Sequence, residues 1–425
     1  MAKSSIQAPR GTRDFYPDEM RQRTWLFENF RGVARKFGFE EVDAPILEHA
    51  ELFTRKAGEE IVDQLYHFEL HDRHLALRPE MTPSIARLVM GRAGALKLPL
   101  RWFTITQNWR YERMTRGRLR EHYQWNMDIW GEPGVTAEAE LIAALLTLVR
   151  EIGLPSGAVK VRVNSRALLE ESLRQGVLAE RPEAFAPLCV IIDKLDKIGE
   201  QAVRDLLCAP DGEIALQPAE ADSVLKMLQA RTLEEAATAG GKGSPALDDL
   251  HRLFELLDGY GVAEDVIFDA SVVRGLAYYT GIVFEAFDAR GELRAICGGG
   301  RYDRLLETLG GKPIPAVGFG FGDVVITELL KDQNLLPTPD RGLDDIVFAF
   351  SPAEQKAAAR LATELRGEGR HVELIPGKMK PKRVFADADA KGASRVFLIG
   401  PDDLAEGRAA VKDLKTGEQK NWPLS

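Results

Sequence analysis

Polar and apolar residues alternate through residues 100–131, on both sides of a turn that contains Gly117. The polar residues share one parity on each side: Thr104, Thr106, Asn108, Arg110 and Glu112 before the turn, and His122, Gln124, Asn126 and Asp128 after it. Because alternate side chains of a β-strand lie on one face, the pattern predicts a β-hairpin with one polar face. The opposite face, with Phe103, Ile105 and Trp125, is too apolar to be solvent-exposed, so we expect the hairpin inside a packed sheet.

Antiparallel pairing about this turn would set Arg110 near Gln124 and Glu112 near His122. The segment 101–120 carries six arginines and one acidic residue. A polar face with a basic rim favours a phosphate-bearing ligand, since guanidinium groups bind phosphate through paired hydrogen bonds. The alternative is a sheet face that is merely solvated.

The whole chain has the composition of an ordinary globular protein. Its 425 residues are enough for two or three domains. A net charge of −9 argues against nucleic-acid binding by the whole surface, but it is compatible with local basic patches. The three cysteines are too few and too far apart for a disulfide framework or a Cys-x-x-Cys zinc site. No apolar run is long enough to span a bilayer and no signal peptide begins the chain, so we expect a cytoplasmic protein without membrane contact.

The N-terminal third predicts short elements. Apolar residues at helical spacing predict a helix over 17–37, and FEEVDAPIL, 39–47, predicts a strand interrupted by Pro45. Residues 65–78 predict two short strands around a turn, and LRPEMT, 77–82, continues as a polar strand face. This region also contains His67, His71 and His74, but a local period of two disfavours a metal site formed by them.

After about residue 166 the predicted secondary structure changes from helices to strands, and then to a separate α/β domain. Helical spacing over about 166–262 predicts a helical insertion, with a flexible connection near residue 240, and strands return over 266–303. Glycines at 318, 320 and 322 remove one face of a strand and predict a flat floor for a planar ring. Residues 331–342 predict a linker, followed by a small α/β domain with a largely parallel sheet. A basic patch in that domain suits nucleic acid, or is a solvated helix start: Lys378, Lys380, Lys382 and Arg383.

Several segments together resemble one family. WRYERMTRGRLREHYQWNMDIWG resembles motif 2 of class II aminoacyl-tRNA synthetases, FEEVDAP the end of motif 1, and AVGFGFG the start of motif 3. PRGTRDFYP, LRPEMT, RGLAYYTGIVFE and GGGRYD, in this order, resemble the histidyl-tRNA synthetase family over nearly the whole chain.

The resemblance implies an α+β fold. The catalytic domain, 1–330, would hold a six-stranded antiparallel class II sheet flanked by helices and interrupted by the insertion at about 166–262. The α/β domain at 343–425 would bind the anticodon, and a homodimer would form partly through the Pro45 region.

The implied reaction has two steps. The histidine carboxylate attacks the α-phosphate of ATP, which enters with Mg²⁺, to give histidyl-adenylate and pyrophosphate. The terminal ribose of histidine tRNA then attacks the activated carbonyl. The resemblance implies no tightly bound protein metal.

Charge develops on the α-phosphoryl oxygens, so fixed cations matter more than a general base. The resemblance implies that Arg110 and Arg274 are these cations. It implies an ATP site of Arg110, Glu112, Arg118 and Tyr123, with the Tyr123 ring on adenine. It implies a histidine site of Glu80, Thr82, Gln124, Asp128, Arg274, Tyr278, Tyr279 and Tyr302. It implies tRNA contacts by Arg113 and Arg116, in addition to contacts by the C-terminal basic patch.

The sequence departs from the family at three places. Ala277 replaces a common aspartate, and Asp128 replaces a longer glutamate. Val324 and Val325 stand where motif 3 has a Glu-Arg pair, so either another basic residue substitutes or nucleotide binding relies on Tyr123 and the glycine floor. This loss also favours an alternative, a non-catalytic paralogue that senses histidine as the regulatory subunit of ATP phosphoribosyltransferase. A sister synthetase for threonine, proline or glycine is the second alternative.

Overall fold

The computed structural model describes residues 6–55, 62–241, 243–275, 278–375 and 379–424. The chain divides into two compact units. The first comprises Met1–Tyr16 and Arg23–Leu336, and the second comprises Pro17–Gln22 and Pro337–Ser425. Within the described ranges, no helix is long and apolar enough to cross a membrane.

Strands of the first unit form one large sheet and one small sheet. Within the described residues the large sheet has eight strands, in the order β1-β5-β6-β11-β10-β9-β7-β8, and the small sheet has the order β2-β4-β3. The strands are β1 (Glu40–Glu41), β2 (Leu47–His49), β3 (His67–Leu70), β4 (Arg73–Leu77), β5 (Leu100–Trp109), β6 (Glu121–Trp130), β7 (Val159–Ser165), β8 (Val266–Phe268), β9 (Ile282–Asp288), β10 (Cys297–Arg301) and β11 (Ala316–Gly322).

The large sheet is antiparallel in its centre and parallel at both edges. The six strands from β5 to β7 pair antiparallel with one another. At the edges β1 pairs with β5, and β8 with β7, in parallel. The six-stranded antiparallel sheet that the resemblance implied is therefore present, extended by one short parallel strand on each side.

Helices of the first unit pack on the two sheets or form the insertion, and the first helix begins with Pro17–Gln22 of the second unit. They are α1 (Pro17–Lys36), α2 (Glu51–Thr54), α3 (Thr82–Arg92), α4 (Thr136–Glu151), α5 (Arg166–Arg174), α6 (Phe185–Ile192), α7 (Leu195–Ile198), α8 (Glu200–Leu207), α9 (Pro218–Met227), α10 (Leu233–Ala236), α11 (Pro245–Gly259), α12 (Leu305–Thr308) and α13 (Asp323–Asp332). Short 3-10 turns occur at Pro182–Ala184 and Ala263–Asp265, and a π-helical turn at Ala237–Gly241.

The hairpin β5–β6 divides as its alternation predicts. Phe103 and Trp125 are buried in the main hydrophobic core together with α4 and α11. The Trp125 ring stacks on Phe30 of α1, with ring centroids 5.2 Å apart. Burial of this apolar face leaves the polar face on the other side of the sheet.

The polar strand predicted over 77–82 is wrong beyond Leu77. Pro83 suits the first turn of a helix, where its missing N–H needs no partner, and α3 begins at Thr82. Arg78 turns away from Glu80, because its guanidinium donates to the carbonyls of Ala44, at 2.6 Å, and Gln107, at 3.0 Å.

The predicted helical insertion consists of two parts with different cores. Helices α5 to α9 enclose a separate apolar cluster that includes Leu173, Leu188, Val203 and Val224. Helix α11 packs instead on α4 and β7, within the main core. The segment α5–α9 thus has its own core, separate from that of the large sheet.

The second unit is a mixed five-stranded sheet with helices on both faces. Its strands are β12 (Asp345–Ala349), β13 (Val372–Ile375), β14 (Arg395–Ile399), β15 (Arg408–Asp413) and β16 (Gln419–Pro423), in the order β13-β12-β14-β15-β16. Its helices are α14 (Gln355–Gly367), α15 (Pro381–Ala390) and α16 (Pro401–Ala405). The first three strands are parallel and the C-terminal hairpin is antiparallel, as the sequence predicts. The short α16 was not predicted.

Candidate active site

A cavity of about 1450 Å³ lies over the polar face of the large sheet. The pairing Asn126–Gly320–Gly298–Glu285 runs across β6, β11, β10 and β9 and forms part of its floor. Helix α6 and the segment 193–197 of the insertion line the other side. The site is therefore built by the sheet and closed partly by the insertion.

The polar face is buried although several of its atoms have no partner. Thr104, Thr106 and Asn108 are at most 1% exposed. The Oγ1 atoms of both threonines, and the side-chain carbonyl oxygens of Asn108 and Asn126, make no hydrogen bond within the described part of the chain. Buried polar atoms without a partner cost free energy and cluster where a ligand or water supplies the missing bond. Among these residues Asn126 lines the cavity, and Thr104, its partner across the hairpin, lies on the same face of the sheet. The unpaired oxygen of Asn126 supports a polar ligand in the cavity.

The register predicted for the hairpin is wrong, because each residue of β5 lies opposite a residue four positions earlier in the chain than predicted. Trp109 pairs with Glu121 and Thr106 with Gln124, so Arg110 lies opposite Arg120 rather than Gln124. The hairpin loop, residues 110–120, is asymmetric, because the Glu112 N–H bonds to the Arg110 carbonyl and more residues precede the turn than follow it. The parity of each strand is unchanged, so the same residues face the cavity.

The glycine floor is occupied by side chains of the protein itself. A Cβ at Gly298 would lie 2.5 Å from the Arg274 guanidinium carbon. At Gly318 it would lie 2.4 Å from Asp128 Oδ1, and at Gly320 2.8 Å from Gln124 Nε2. The predicted flat floor for a planar ring is thus wrong, since the glycines make room for the side chains of Arg274, Asp128 and Gln124.

Glu80 and Arg110 meet at one end of the cavity. The Tyr278 hydroxyl donates to Glu80 Oε2 at 2.9 Å, and Arg110 Nε donates to the Pro79 carbonyl at 2.9 Å. Burial raises the pKa of Glu80, and the charge of Arg110 opposes this rise. Thr82, at the start of α3, also lines this end. A buried carboxylate beside a hydroxyl suits an ammonium group.

Arg274 lies over the centre of the floor in a left-handed backbone conformation, with φ of 57°. Its Nη1 pairs with Glu285 Oε1. Left-handed backbone costs energy for a residue with a side chain and is concentrated at functional sites. Glu285 was not predicted as a site residue from the sequence. The only signal for it was the alternation of the strand GIVFEAF, which places its side chain on the cavity face.

Three tyrosines form an aromatic pocket beside Arg274. Tyr278, Tyr279 and Tyr302 line the cavity, and their ring centroids lie between 5.0 and 6.3 Å apart. The Tyr302 hydroxyl donates to Asp128 Oδ1, and Asp128 is fully buried below it. Asp128 therefore reaches the cavity through Tyr302, which corrects the expectation of a carboxylate exposed to the ligand.

Gln124, Glu112 and Arg118 lie where the sequence predicts a polar lining. Gln124 lines the cavity, and Asn108 Nδ2 donates to its side-chain oxygen at 3.1 Å. Arg118 Nη2 donates to Glu112 Oε1 at 2.9 Å, so these two hairpin-loop residues form a charged pair at the rim.

The structure contradicts the prediction that Tyr123 stacks on adenine. The Tyr123 ring points to the apolar side of the sheet, 5.2 Å from the Phe27 ring, and Arg23 donates to its hydroxyl at 3.0 Å. Its parity is that of Trp125, which already excluded the cavity face. The ring that faces the cavity is His122. Burial, then the charges of Arg110, Arg13 and Arg118, lowers the pKa of His122 to about 3, so its ring is neutral.

Val324 and Val325, where the sequence departs from motif 3, have different surroundings. Val324 lines the cavity, and Val325 is buried beside the hairpin loop, with Cγ2 3.3 Å from where a Cβ at Gly117 would lie. Neither valine supplies charge. Ala277, the second departure, lies outside the described residues.

The residues predicted to contact tRNA differ in their surroundings. Arg113 is exposed, whereas Arg116 pairs with Glu328 and Asp332 of α13. In the second unit Lys380 precedes α15, and Lys382 and Arg383 lie in its first turn. Lys378 lies outside the described residues.

The three histidines of 65–78 do not converge. His74 Nε2 lies 3.0 Å from His67 Nδ1, while His71 sits in the turn between the strands. Across the described ranges, no group of three or more His, Cys, Asp or Glu side chains is arranged to hold a metal ion.

Comparison with known proteins agrees with this geometry. A family model described as histidyl-tRNA synthetase matches residues 11–322, and one described as anticodon binding domain matches 346–425. The chain is 49% identical to the chloroplastic/mitochondrial histidine–tRNA ligase of Arabidopsis thaliana over 424 residues, covering 100% of this chain and 86% of that protein. It is 39% identical to the histidine–tRNA ligase of Opitutus terrae, covering 99% and 96%.

Solved structures show the same fold. The crystal structure of histidyl-tRNA synthetase from Nostoc sp. PCC 7120 superposes with a TM-score of 0.78 at 23% identity, covering 99% of this chain and 97% of that one. A Bacillus halodurans protein described as an ATP phosphoribosyltransferase regulatory subunit/histidyl-tRNA synthetase gives 0.75 at 25% identity, covering 93% and 98%.

Replacing Asp128 with Asn should stabilise the protein more at pH 8 than at pH 5. Burial raises the pKa of Asp128 to about 7, whereas an unfolded aspartate titrates near ~3.9. Between these values the folded protein binds a proton that the unfolded chain has released, so its free energy of unfolding falls as pH rises. Thermal unfolding of Asp128→Asn and the native protein at both pH values measures this difference.

Asp345→Asn in the second unit is the matched control. Burial opposes ionisation of Asp345, but hydrogen bonds from Arg370 and Arg395 hold the pKa of Asp345 below its usual range. This substitution should lower the melting temperature at both pH values. An equal effect of Asp128→Asn at pH 5 and pH 8 would show that Asp128 has an ordinary pKa.

Proposed function

The chain belongs to the histidyl-tRNA synthetase family and is a histidine–tRNA ligase, and we propose that the cavity over its large sheet is where histidine and ATP react. The observation that carries this proposal is the placement of Arg110 and Arg274 around one cavity with Glu80. Such an arrangement binds an amino acid at one end and stabilises charge on a phosphate beside it. The anticodon-type domain disfavours the regulatory paralogue, which would not contact tRNA.

We propose that histidine binds between Glu80 and the three tyrosines. Its ammonium group would bind Glu80 and Thr82, which lie together at one end of the cavity. Its imidazole would lie among Tyr278, Tyr279 and Tyr302, with Asp128 acting through the Tyr302 hydroxyl. A pocket that hydrogen-bonds both ring nitrogens rejects apolar analogues, because its own polar groups would lose their partners.

In the activation step, the two cations Arg110 and Arg274 would stabilise the developing negative charge. The histidine carboxylate would approach Arg110, which also faces the α-phosphate from the motif 2 strand end. A carboxylate oxygen attacks phosphorus, the bond to the bridging oxygen breaks, and pyrophosphate leaves with that electron pair. Arg274 would meet the charge on the α-phosphoryl oxygens from the glycine floor. ATP brings Mg²⁺ as part of the substrate, held mainly by phosphate oxygens.

We propose that ATP binds along the hairpin loop, with Glu112 and Arg118 at the adenine edge and the neutral His122 ring against its face. Gln124 lies between this region and the histidine pocket. This assignment replaces Tyr123, and it also accounts for a nucleotide site that has valines at 324 and 325.

The tRNA would contact two separate basic groups. Arg113 is exposed at the hairpin loop, where the acceptor end must approach the adenylate. Arg116 would contribute only after exchange of its carboxylate partners on α13. Lys380, Lys382 and Arg383 would contact the anticodon stem-loop backbone. The cytoplasmic location remains a prediction from the sequence.

Purified protein should exchange pyrophosphate into ATP only when histidine is present, and it should charge histidine tRNA. Arg274→Gln should reduce the exchange rate by at least ~100-fold, since it removes a fixed charge on the transferring phosphoryl group. Arg252→Gln, on the exposed face of α11, is the control and should keep the native rate. Exchange in the absence of histidine, or full activity of Arg274→Gln, would contradict the assignment.

His122→Ala should raise the KM for ATP by about tenfold, the loss expected for one stacking contact of roughly 1–3 kcal/mol. Tyr123→Leu, which removes the ring but keeps an apolar side chain, should leave this KM within about twofold, because the Tyr123 ring lies on the other side of the sheet. Pyrophosphate exchange at varied ATP measures both. The reverse order of effects would restore Tyr123 as the adenine-stacking residue.

We also propose that the chain forms a homodimer through the small sheet. Large apolar side chains are exposed on and next to this sheet: Ile46 by 40%, Leu47 by 43%, Phe68 by 44% and Leu70 by 50%. Exposed apolar patches of this kind mark protein interfaces. Pro45 directly precedes Ile46 and Leu47, so this surface includes the region through which the resemblance implies a homodimer.

A double substitution, Phe68→Glu with Leu70→Glu, should convert the dimer into a monomer. Sedimentation equilibrium should give twice the 47.2 kDa chain mass for the native protein and one chain mass for the variant. Leu206→Glu, a similarly exposed site in the insertion at 39%, is the control and should remain dimeric. A native protein at one chain mass would refute the dimer.

A further inference from the structure

We propose that Arg13 is a positioning residue for the ATP site, because its guanidinium ties the root of the hairpin loop to the start of α13. This inference rests on the proposed function, since the site it supports is the proposed nucleotide site. Arg13 lies in the N-terminal segment 9–16, far in sequence from both elements it joins.

The ion pairs of Arg13 connect three segments. Arg13 Nη1 lies 2.9 Å from Asp323 Oδ2, and Arg13 Nη2 lies 3.3 Å from Glu121 Oε1. The side chains of Asp323 and Glu121 are only 4% and 2% exposed. Gln107 Nε2 also donates to Glu121 Oε1, at 3.1 Å. One cation therefore pairs with two buried carboxylates, and its removal would leave two like charges buried near each other.

Backbone contacts fix where Arg13 lies. The Gly11 carbonyl accepts from the N–H groups of Arg120, at 3.0 Å, and Glu121, at 3.3 Å. Gly11 has φ of +91°, and a Cβ there would lie 2.9 Å from the Arg120 side chain. Only glycine suits both the conformation and the close approach. The N-terminal segment is thus attached at the point where the hairpin loop rejoins β6.

The ion pair of Arg13 with Asp323 is connected to the cavity through the backbone of β6. Asp323 Oδ1 accepts from the Tyr123 N–H at 2.8 Å. The residues on either side, His122 and Gln124, face the cavity. A shift of Asp323 would therefore move the backbone between two ligand-facing side chains. Arg13 pairs with Asp323 at the start of α13 and with Glu121 at the start of β6, so it links motif 3 to motif 2 ionically. The pairs of Arg116 with α13 form a second such link.

The measurement that separates positioning from general stability is the effect of Arg13 substitutions on two KM values. Arg13→Gln should raise the KM for ATP by about 10- to 100-fold, the range expected from a small displacement of contacting groups. The KM for histidine should change by less than about twofold, because the ion pairs that the structure describes for Arg13 reach Glu121 and Asp323, whereas Glu80 is bound by Tyr278. Arg13→Lys keeps one charge but cannot bridge two carboxylates, so it should give an intermediate KM for ATP.

Arg31→Gln is the matched control. Arg31 also binds two carboxylates, Glu28 at 3.0 Å and Glu41 at 3.1 Å, and its side chain is 27% exposed against 24% for Arg13. It should leave both KM values unchanged. If Arg13→Gln does not fold, Arg13→Lys decides.

Unchanged KM values in a folded Arg13 variant would overturn the proposal, as would equal rises in both KM values. These outcomes differ from a failure of the proposed function itself, which would appear as native protein without histidine-dependent exchange.

Discussion

The hairpin β5–β6 has two buried faces with opposite chemistry, and the first unit is organised by that division. Its apolar face packs Phe103 and Trp125 against α1, α4 and α11, which fixes the sheet in the core. Its polar face is also shielded from bulk water, although Thr104, Thr106 and Asn126 leave oxygen atoms without partners in the described part of the chain. Such a face reduces folding stability, and under the proposed function it is retained because Asn126 on this face lines the substrate cavity.

Under the proposed function, charge pairing prepares the same cavity for an anionic substrate. Arg118 pairs with Glu112, Arg274 with Glu285, and Arg110 lies beside Glu80. Each guanidinium would therefore be held in place before a phosphate binds, and the carboxylates limit the repulsion between these half-buried cations. The glycines of β10 and β11 provide the space in which Arg274, Asp128 and Gln124 lie. These arrangements together pre-organise the site, so the groups need little movement when the reaction begins.

Sequence periodicity was sufficient for the faces of the hairpin but not for its register. Parity placed Gln124 and Asn126 on the cavity face, and the same parity should have excluded Tyr123 in favour of His122. The register depended on how many residues the hairpin loop places on each side of its turn, which side-chain alternation does not encode. The Asp128–Tyr302 contact joins distant segments, and the Arg274–Glu285 pair depends on the left-handed backbone at Arg274, so both required the tertiary structure. The order of motifs nevertheless identified the family, because their spacing fits a single fold.

The retention of the polar face for binding can be measured with Asn126→Val. This substitution removes a cavity-lining oxygen that has no partner in the described part of the chain, and it places a β-branched residue in a buried strand. The melting temperature should rise, and calorimetric titration should show affinity for a non-hydrolysable histidyl-adenylate analogue weaker by about tenfold or more. A lower melting temperature together with unchanged affinity would show that Asn126 serves the fold, and would contradict a polar face kept for the substrates.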